Sequence, residues 1–171
     1  MDLRPATPDD ALALGRFGRD AFVAAFGHCY GRPDLDPFLE RVYGEAEVLA
    51  DIADPSVRIQ LAVDAGGIAG FCKIRLDSGW PDHARGNRPV QLSQLYVDPA
   101  RTGQAIGAGL MDWALDLARG HDADEIQLSV WSENFGGQRF YERYGFEKVA
   151  EIDFWVTNHR DEEFVYALSL D

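Results

Sequence analysis

The chain has 171 residues, 46% of them hydrophobic and 12% aromatic, which excludes disorder as its overall state and makes a single domain the expectation. Sixteen basic against twenty-nine acidic residues give a formal charge of −13, a poor match for a phosphate backbone, so no nucleic-acid partner is expected. No apolar run approaches the roughly 18 residues of a membrane span, and Met1-Asp2-Leu3-Arg4-Pro5 has no apolar secretory core, so neither a membrane nor export is expected.

In chain order, residues 3–6 read as a short opening strand. Residues 7–10 form a cap region before a helix over 11–26. A second helix is predicted over 37–51, with Phe38, Leu39, Val42, Tyr43 and Val48 as its apolar members. Residues 57–63 alternate, with Ile59, Leu61 and Val63 on one face, and Asp64-Ala65-Gly66-Gly67 is a hairpin turn before a return strand at 68–76. Residues 77–89, rich in Gly, Pro, Asp and Arg, read as a loop. A strand at 90–97 then leads through a glycine-containing loop to a helix over 106–119, where Ile106, Leu110, Trp113, Ala114, Leu117 and Ala118 recur at helical spacing. A strand at 125–131, a short helix at 135–144 ended by Gly145, and an antiparallel pair at 147–156 and 163–170 complete the chain. The order is β-α-α-β-β-β-α-β-α-β-β: an α/β mixed sheet with one β-α-β unit at 90–131, where parallel pairing is expected.

The two cysteines, Cys29 and Cys72, form no C-x-x-C pair, and Cys72 lies in an apolar strand, so a reduced, cytoplasmic protein is expected. No two of His28, His83, His121 and His159 lie within four residues of each other, so no zinc spacing exists and no metal is expected. The run His121-Asp122-Ala123-Asp124-Glu125 imitates a metal cluster, but it falls between a helix and a strand and reads as a solvated loop.

The sharpest chemical signal is Pro99-Ala100-Arg101-Thr102-Gly103-Gln104-Ala105-Ile106-Gly107-Ala108-Gly109, which joins a strand to a helix. Glycines allow close backbone approach there, and the first helical N–H groups make an anion site suited to a pyrophosphate. It is neither a Walker A loop nor a dinucleotide fingerprint on the chain's first strand. The second signal is Asn134-Phe135-Gly136-Gly137-Gln138-Arg139-Phe140-Tyr141-Glu142-Arg143-Tyr144-Gly145-Phe146.

Together these segments resemble the GNAT (Gcn5-related N-acetyltransferase) superfamily. The first looks like its acetyl-CoA loop, Gln/Arg-x-x-Gly-x-Gly/Ala, and the second like its Asn-x-x-Ala-x-x-Phe-Tyr-x-x-x-Gly-Phe segment, in the right order and with one strand between them. The element order matches the GNAT acyl-CoA N-acyltransferase fold from end to end. Ala21-Phe22 and Phe26-Gly27-His28, then Asp34-Leu35, Phe38-Leu39 and Tyr43, then Val130-Trp131 with Asn134, and Asp153-Phe154-Trp155-Val156 look like its PaiA-like branch. That branch implies N-acetylation of small amines, polyamines included. The sequence departs from the pattern at Thr102, at Ala105 in place of the first glycine of the pair, at Gly137 in place of alanine, and at Gln91, where many relatives carry a glutamate base. Glutamine cannot take up a proton at neutral pH, so base catalysis from that position is not expected. Alanine at 105 is expected to keep helical angles and preserve the amide array.

The resemblance implies acetyl-CoA as co-substrate. Its pantetheine would lie along Leu95, Tyr96 and Val97, and its pyrophosphate on the loop formed by Thr102, Gly103, Gln104, Ala105, Ile106, Gly107 and Ala108. Asn134 would bind the pantetheine arm, or serve only as a helix N-cap. Tyr141 would be the general acid toward the CoA thiolate, with Tyr144 as its competitor and a packed core tyrosine as the plain alternative. For the base, Glu133, Asp153 and a water chain past Gln91 stay open. So do two other functions: a catalytically silent acyl-CoA-binding module, and acetylation of protein lysines or N-termini. Relatives of this fold are often dimers, which puts a homodimer among the partners the resemblance implies.

Overall fold

The structure is a computed structural model that describes residues 1–77 and 79–170; Ser78, within the predicted loop, and Asp171 lie outside the described residues. Its centre is a seven-stranded sheet in the order β1-β2-β3-β4-β5-β7-β6. The strands are β1 (Asp2–Pro5), β2 (Val57–Asp64), β3 (Gly67–Arg75), β4 (Pro89–Val97), β5 (Glu125–Trp131), β6 (Glu147–Val156) and β7 (His159–Ser169). All neighbours are antiparallel except β4 and β5, the strands flanking the predicted β-α-β unit.

Strand alternation sorts two cores. On one face α4 (Ile106–Gly120) and α5 (Phe135–Arg143) cover Cys72, Ile74, Leu92, Leu128 and Val130. On the other, α1 (Ala11–Phe26), α2 (Arg32–Tyr43) and α3 (Glu45–Ala53) cover Leu61 and Phe71 and build an aromatic cluster of Phe22, Phe38 and Tyr43. Strands β2, β3 and β4 contribute to both cores because neighbouring side chains point to opposite faces.

The predicted helix over 37–51 is two helices, so the order carries three helices rather than two between β1 and β2. Proline at 37 resembles a helix start, but α2 begins at Arg32 with Pro33 in its first turn and continues through Pro37. It stops at Gly44, whose extended backbone (φ −56°, ψ 144°) ends one helix and opens the next. The break folds Tyr43 beneath α1. There a Cβ on Gly15 would stand 2.4 Å from the Tyr43 carbonyl oxygen, and one on Gly18 would stand 2.6 Å from its ring. Only glycine lets α1 approach that closely, and this packing fixes the wall of the cleft described below.

The cap region before α1 is held by Asp10, whose carboxylate accepts from Thr7 N at 2.8 Å and from Arg4 Nη1 at 2.8 Å. The acidic run at 121–125 is likewise structural. Asp124 accepts from Asn87 N and Arg88 N, both at 2.8 Å, and buried Glu125 accepts from Arg85 N at 3.1 Å, so the two carboxylates pin the loop before β4. A further difference from the sequence reading is β7, which begins at His159 rather than 163. The segment His159-Arg160-Asp161-Glu162 has no apolar alternation to mark it as strand. Pairing with 153–156 across the Thr157-Asn158 turn makes it one.

Candidate active site

The parallel pair β4–β5 holds register only at Pro89↔Glu125, Val90↔Ile126 and Gln91↔Gln127. Beyond it the two strands diverge, and the wedge between them opens into a cleft of about 500 Å³. The cause is visible in β4, where a bulge shifts the register with β3 between Lys73 and Ile74 and leaves Ser93 out of the pairing. Divergence leaves one edge of β4 without a strand partner, the edge an extended ligand can bond to.

Of the site residues singled out from sequence, Leu95, Tyr96, Asn134, Tyr141 and Asp153 line this cleft, as does Gln91. Val97 and residues 102–108 lie just past it, where β4 ends and α4 begins. The two groups are adjacent along the chain, so a molecule lying on β4 continues onto the N-terminus of α4.

The loop at 98–105 is preorganised. The Asp98 carboxylate accepts from Ala100 N at 2.9 Å, and Arg101 pairs with Asp64 of the β2–β3 turn at 2.5 Å, an interaction that holds the Asp64 carboxyl below its ordinary range. Gly103 is left-handed at φ +81°. The expectation of helical angles at Ala105 is corrected: it is left-handed too (φ 60°, ψ 17°) and caps α4 instead of joining it. The amide array survives because Ile106 starts the helix, and its first-turn N–H groups have no acceptor within the helix. A left-handed alanine costs about 1 kcal/mol. Ala105→Gly should therefore raise stability by up to about 1 kcal/mol, read as a higher denaturant midpoint at unchanged slope. A lower midpoint would show that the flexibility gained by the unfolded chain outweighs the relief.

Both readings of Asn134 have a place in the geometry. Its Oδ1 accepts from Gly137 N at 3.0 Å, capping α5, while the side chain also lines the cleft. Tyr141 and Tyr144 are placed differently. Tyr141 lines the cleft, whereas the Tyr144 hydroxyl donates to the Ala108 carbonyl at 3.4 Å and does not reach it. Burial pushes the Tyr141 phenol well above its ordinary value.

The far wall of the cleft is aromatic and acidic. Phe22 stacks on Tyr30 at 6.1 Å, and Phe26 meets Trp131 edge-on at 5.9 Å. From β7 come Asp161 and Glu163, two residues apart and so on one face of the strand. Asp161 is fully engaged: the Tyr30 hydroxyl donates to its Oδ2, and the His159 ring lies 3.2 Å from its Oδ1. Glu163 is not. Its Oε2 is buried and has no hydrogen-bond partner among the described residues. Burial, and then the Asp161 charge, push its carboxyl up to about 7. Sequence reasoning missed both carboxylates, because in an acidic chain a run of Asp and Glu beyond a turn reads as a solvated surface.

Positive charge in the cleft is largely committed. Lys73 Nζ and Arg75 Nη2 both donate to Asp51, at 2.7 and 3.0 Å, and the Arg41 guanidinium lies over the Phe38 ring at 5.6 Å. Among the described residues no group of three His, Cys, Asp or Glu side chains is placed to hold a metal. No helix of the described residues is long and apolar enough to cross a membrane.

A model of the acetyltransferase (GNAT) family matches residues 19–146. Over 162 residues the chain is 28% identical to an uncharacterised N-acetyltransferase of Mycobacterium tuberculosis, covering 94% of this chain and 98% of that protein. It is 30% identical over 159 residues to the streptothricin acetyltransferase of Streptomyces lavendulae, covering 85% and 80% respectively. The PaiA N-acetyltransferase of Thermoplasma acidophilum, solved in complex with coenzyme A, shares the fold over 98% of both chains with a TM-score of 0.79 at 18% identity.

Proposed function

The chain belongs to the acetyltransferase (GNAT) family and is an enzyme that acetylates amines, and from that premise we propose that it transfers the acetyl group of acetyl-CoA to the primary amine of a small organic cation, with polyamines first among acceptors. The divergence of β4 and β5 is the observation that carries the donor half of this reading. Pantetheine bonds to the open edge of Leu95, Tyr96 and Val97 as an added strand would. Its pyrophosphate rests on the amides from Gly103 to Ala108, where the positive end of α4 favours an anion. Asn134 keeps its amide nitrogen for the pantetheine arm while its oxygen caps α5. The complex of the PaiA protein with coenzyme A supports this assignment. Unbridged Cys29 and Cys72 support a reducing, cytoplasmic setting.

The acceptor half rests on the far wall. Aromatic faces attract an organic cation, and carboxylates draw its ammonium groups inward. Tyr141 supplies the proton, or a hydrogen bond, to the departing sulfur. A polyamine carries further ammonium groups that feel the chain's −13 charge. At ~0.15 M ionic strength such attraction is screened beyond about 8 Å. KM for spermidine should therefore rise with added salt, and KM for a monoamine should rise less. In a screen at one ionic strength, spermidine should be turned over faster than an amino acid, an aminoglycoside or a lysine peptide. Faster turnover of an amino acid or a peptide, with no salt effect, would overturn the polyamine assignment and leave the amine acetyltransferase.

A further inference from the structure

We propose that Glu163 is the general base that deprotonates the acceptor amine, and that Asp161, anchored by Tyr30 and His159, is the positioning residue that keeps it poised beside the thioester. The proposal rests on the acetyl-transfer reading above and names the residue that reading lacks.

An aliphatic amine with a pKa of ~10 is neutral in only about one molecule in 10³ at pH 7, so a proton must be removed before attack. The sequence offers Glu133, Asp153 and a water chain past Gln91 near the expected place, the last with no side-chain base of its own. Gln91 cannot accept a proton, Glu133 is exposed and does not line the cleft, and Asp153 is paired with Arg160 Nε at 2.7 Å. Asp161 has both oxygens occupied. Glu163 is what remains: a half-buried residue on the cleft wall whose Oε2 is buried and unengaged among the described residues. It stands opposite Trp131 in β5 and Ile152 in β6, at the level where β5 ends and Asn134 begins the segment that presents Tyr141.

The charge environment suits the task. On its own strand Glu163 faces Asp161. From β4 it faces Tyr96, and from the segment between α1 and α2 it faces Tyr30. Burial pushes both phenols up, helped at Tyr30 by Asp161 and then Glu163 and at Tyr96 by Tyr43 and then Glu163, so both stay neutral. The cations of the cleft, Lys73 and Arg75, are committed to Asp51, and Arg41 to the Phe38 face. Burial and the like charge of Asp161 therefore act unopposed and leave the carboxyl of Glu163 near 7, where it is partly ionised and still basic enough to take a proton.

Glu163 removes one proton from the ammonium and later passes it to solvent. The freed nitrogen lone pair attacks the thioester carbonyl, the C–N bond forms, and the C–S bond breaks. The departing sulfur accepts a hydrogen bond from the Tyr141 phenol as its charge develops and takes up the second proton lost by nitrogen. The products are the amide and CoA thiol, with one proton released.

The test is the pH dependence of kcat/KM for spermidine in wild type, Glu163→Gln and Glu163→Asp. In the wild type it should rise through an inflection near 7. In Glu163→Gln that inflection should vanish, with kcat/KM down roughly 10²-fold at pH 7. The deficit should shrink to within about tenfold by pH 9.5, where the amine increasingly deprotonates unaided. Glu163→Asp should recover part of the loss and keep an inflection, and CoA affinity by calorimetry should be unchanged in both. An unaltered inflection in Glu163→Gln overturns the assignment. So does a loss that is uniform across pH and accompanied by weakened CoA binding, since that marks a purely structural role. A wild type that acetylates no amine while still binding acetyl-CoA would instead overturn the functional reading on which this rests.

Discussion

Gly107→Glu should abolish CoA binding, measured by calorimetry, while the circular dichroism spectrum stays that of the wild type. Gly107 is the second residue of α4, in the turn whose amides face the loop. A Cβ built there meets the Phe140 ring at 3.6 Å and Val97 Cγ2 at 3.7 Å, which is ordinary contact. The first carbon is thus accommodated, and Gly107→Ala should bind CoA almost normally. The rest of a glutamate chain must fill the gap between the end of β4 and the start of α4, and its charge opposes the pyrophosphate where the helix end attracts it. Unchanged affinity in Gly107→Glu would remove this loop from the site.

Tyr141→Phe should lower kcat by roughly 10²-fold with little change in KM for acetyl-CoA, the signature of an interaction made mainly in the transition state. Transfer of a proton from a phenol of pKa ~10 to a thiolate of ~8.5 is already uphill by roughly 2 kcal/mol, and burial of Tyr141 steepens it. The phenol therefore serves best as a fixed donor whose hydrogen bond strengthens as charge reaches sulfur. Because it stays protonated through neutral pH, the profile of kcat near 7 should carry no inflection from Tyr141. Phenylalanine keeps the ring that packs edge-on against Phe146 at 5.8 Å, so stability should change little. Tyr144→Phe is the control. Its hydroxyl is turned toward Ala108, and activity should stay near the wild-type level. A change in kcat of less than threefold in Tyr141→Phe would exclude it as the donor.

The elements of the proposed donor site were legible in the sequence because they are local. A strand, a glycine turn and a helix follow one another in residues 90–119, and each is specified by its own spacing of apolar residues and by Gly103 and Gly107. The segment from Asn134 to Phe146 is similarly self-contained. Even there, the left-handed angle at Ala105 was invisible, because alanine in a helix-forming sequence gives no sign of φ 60°. The split between α2 and α3 was obscured for a related reason. Apolar spacing runs on across Gly44, and only the packing of Tyr43 against Gly15 and Gly18 shows why the chain must turn.

By itself, then, the sequence determined the strands and helices of a mixed sheet and the strand-turn-helix unit proposed to hold acetyl-CoA, the latter complete within some thirty consecutive residues. The aromatic and acidic wall proposed for the acceptor was decided by tertiary structure alone. Asp161 and Glu163 are two acidic residues in an acidic chain until β7 pairs with β5 and β6 and brings them across from Trp131 and Phe154. That register selects the face of the strand they occupy. Burial beneath the aromatic residues of α1 and the segment after it then gives Glu163 a basicity no isolated glutamate has, because desolvation and a neighbouring like charge act only once the chain has closed around them.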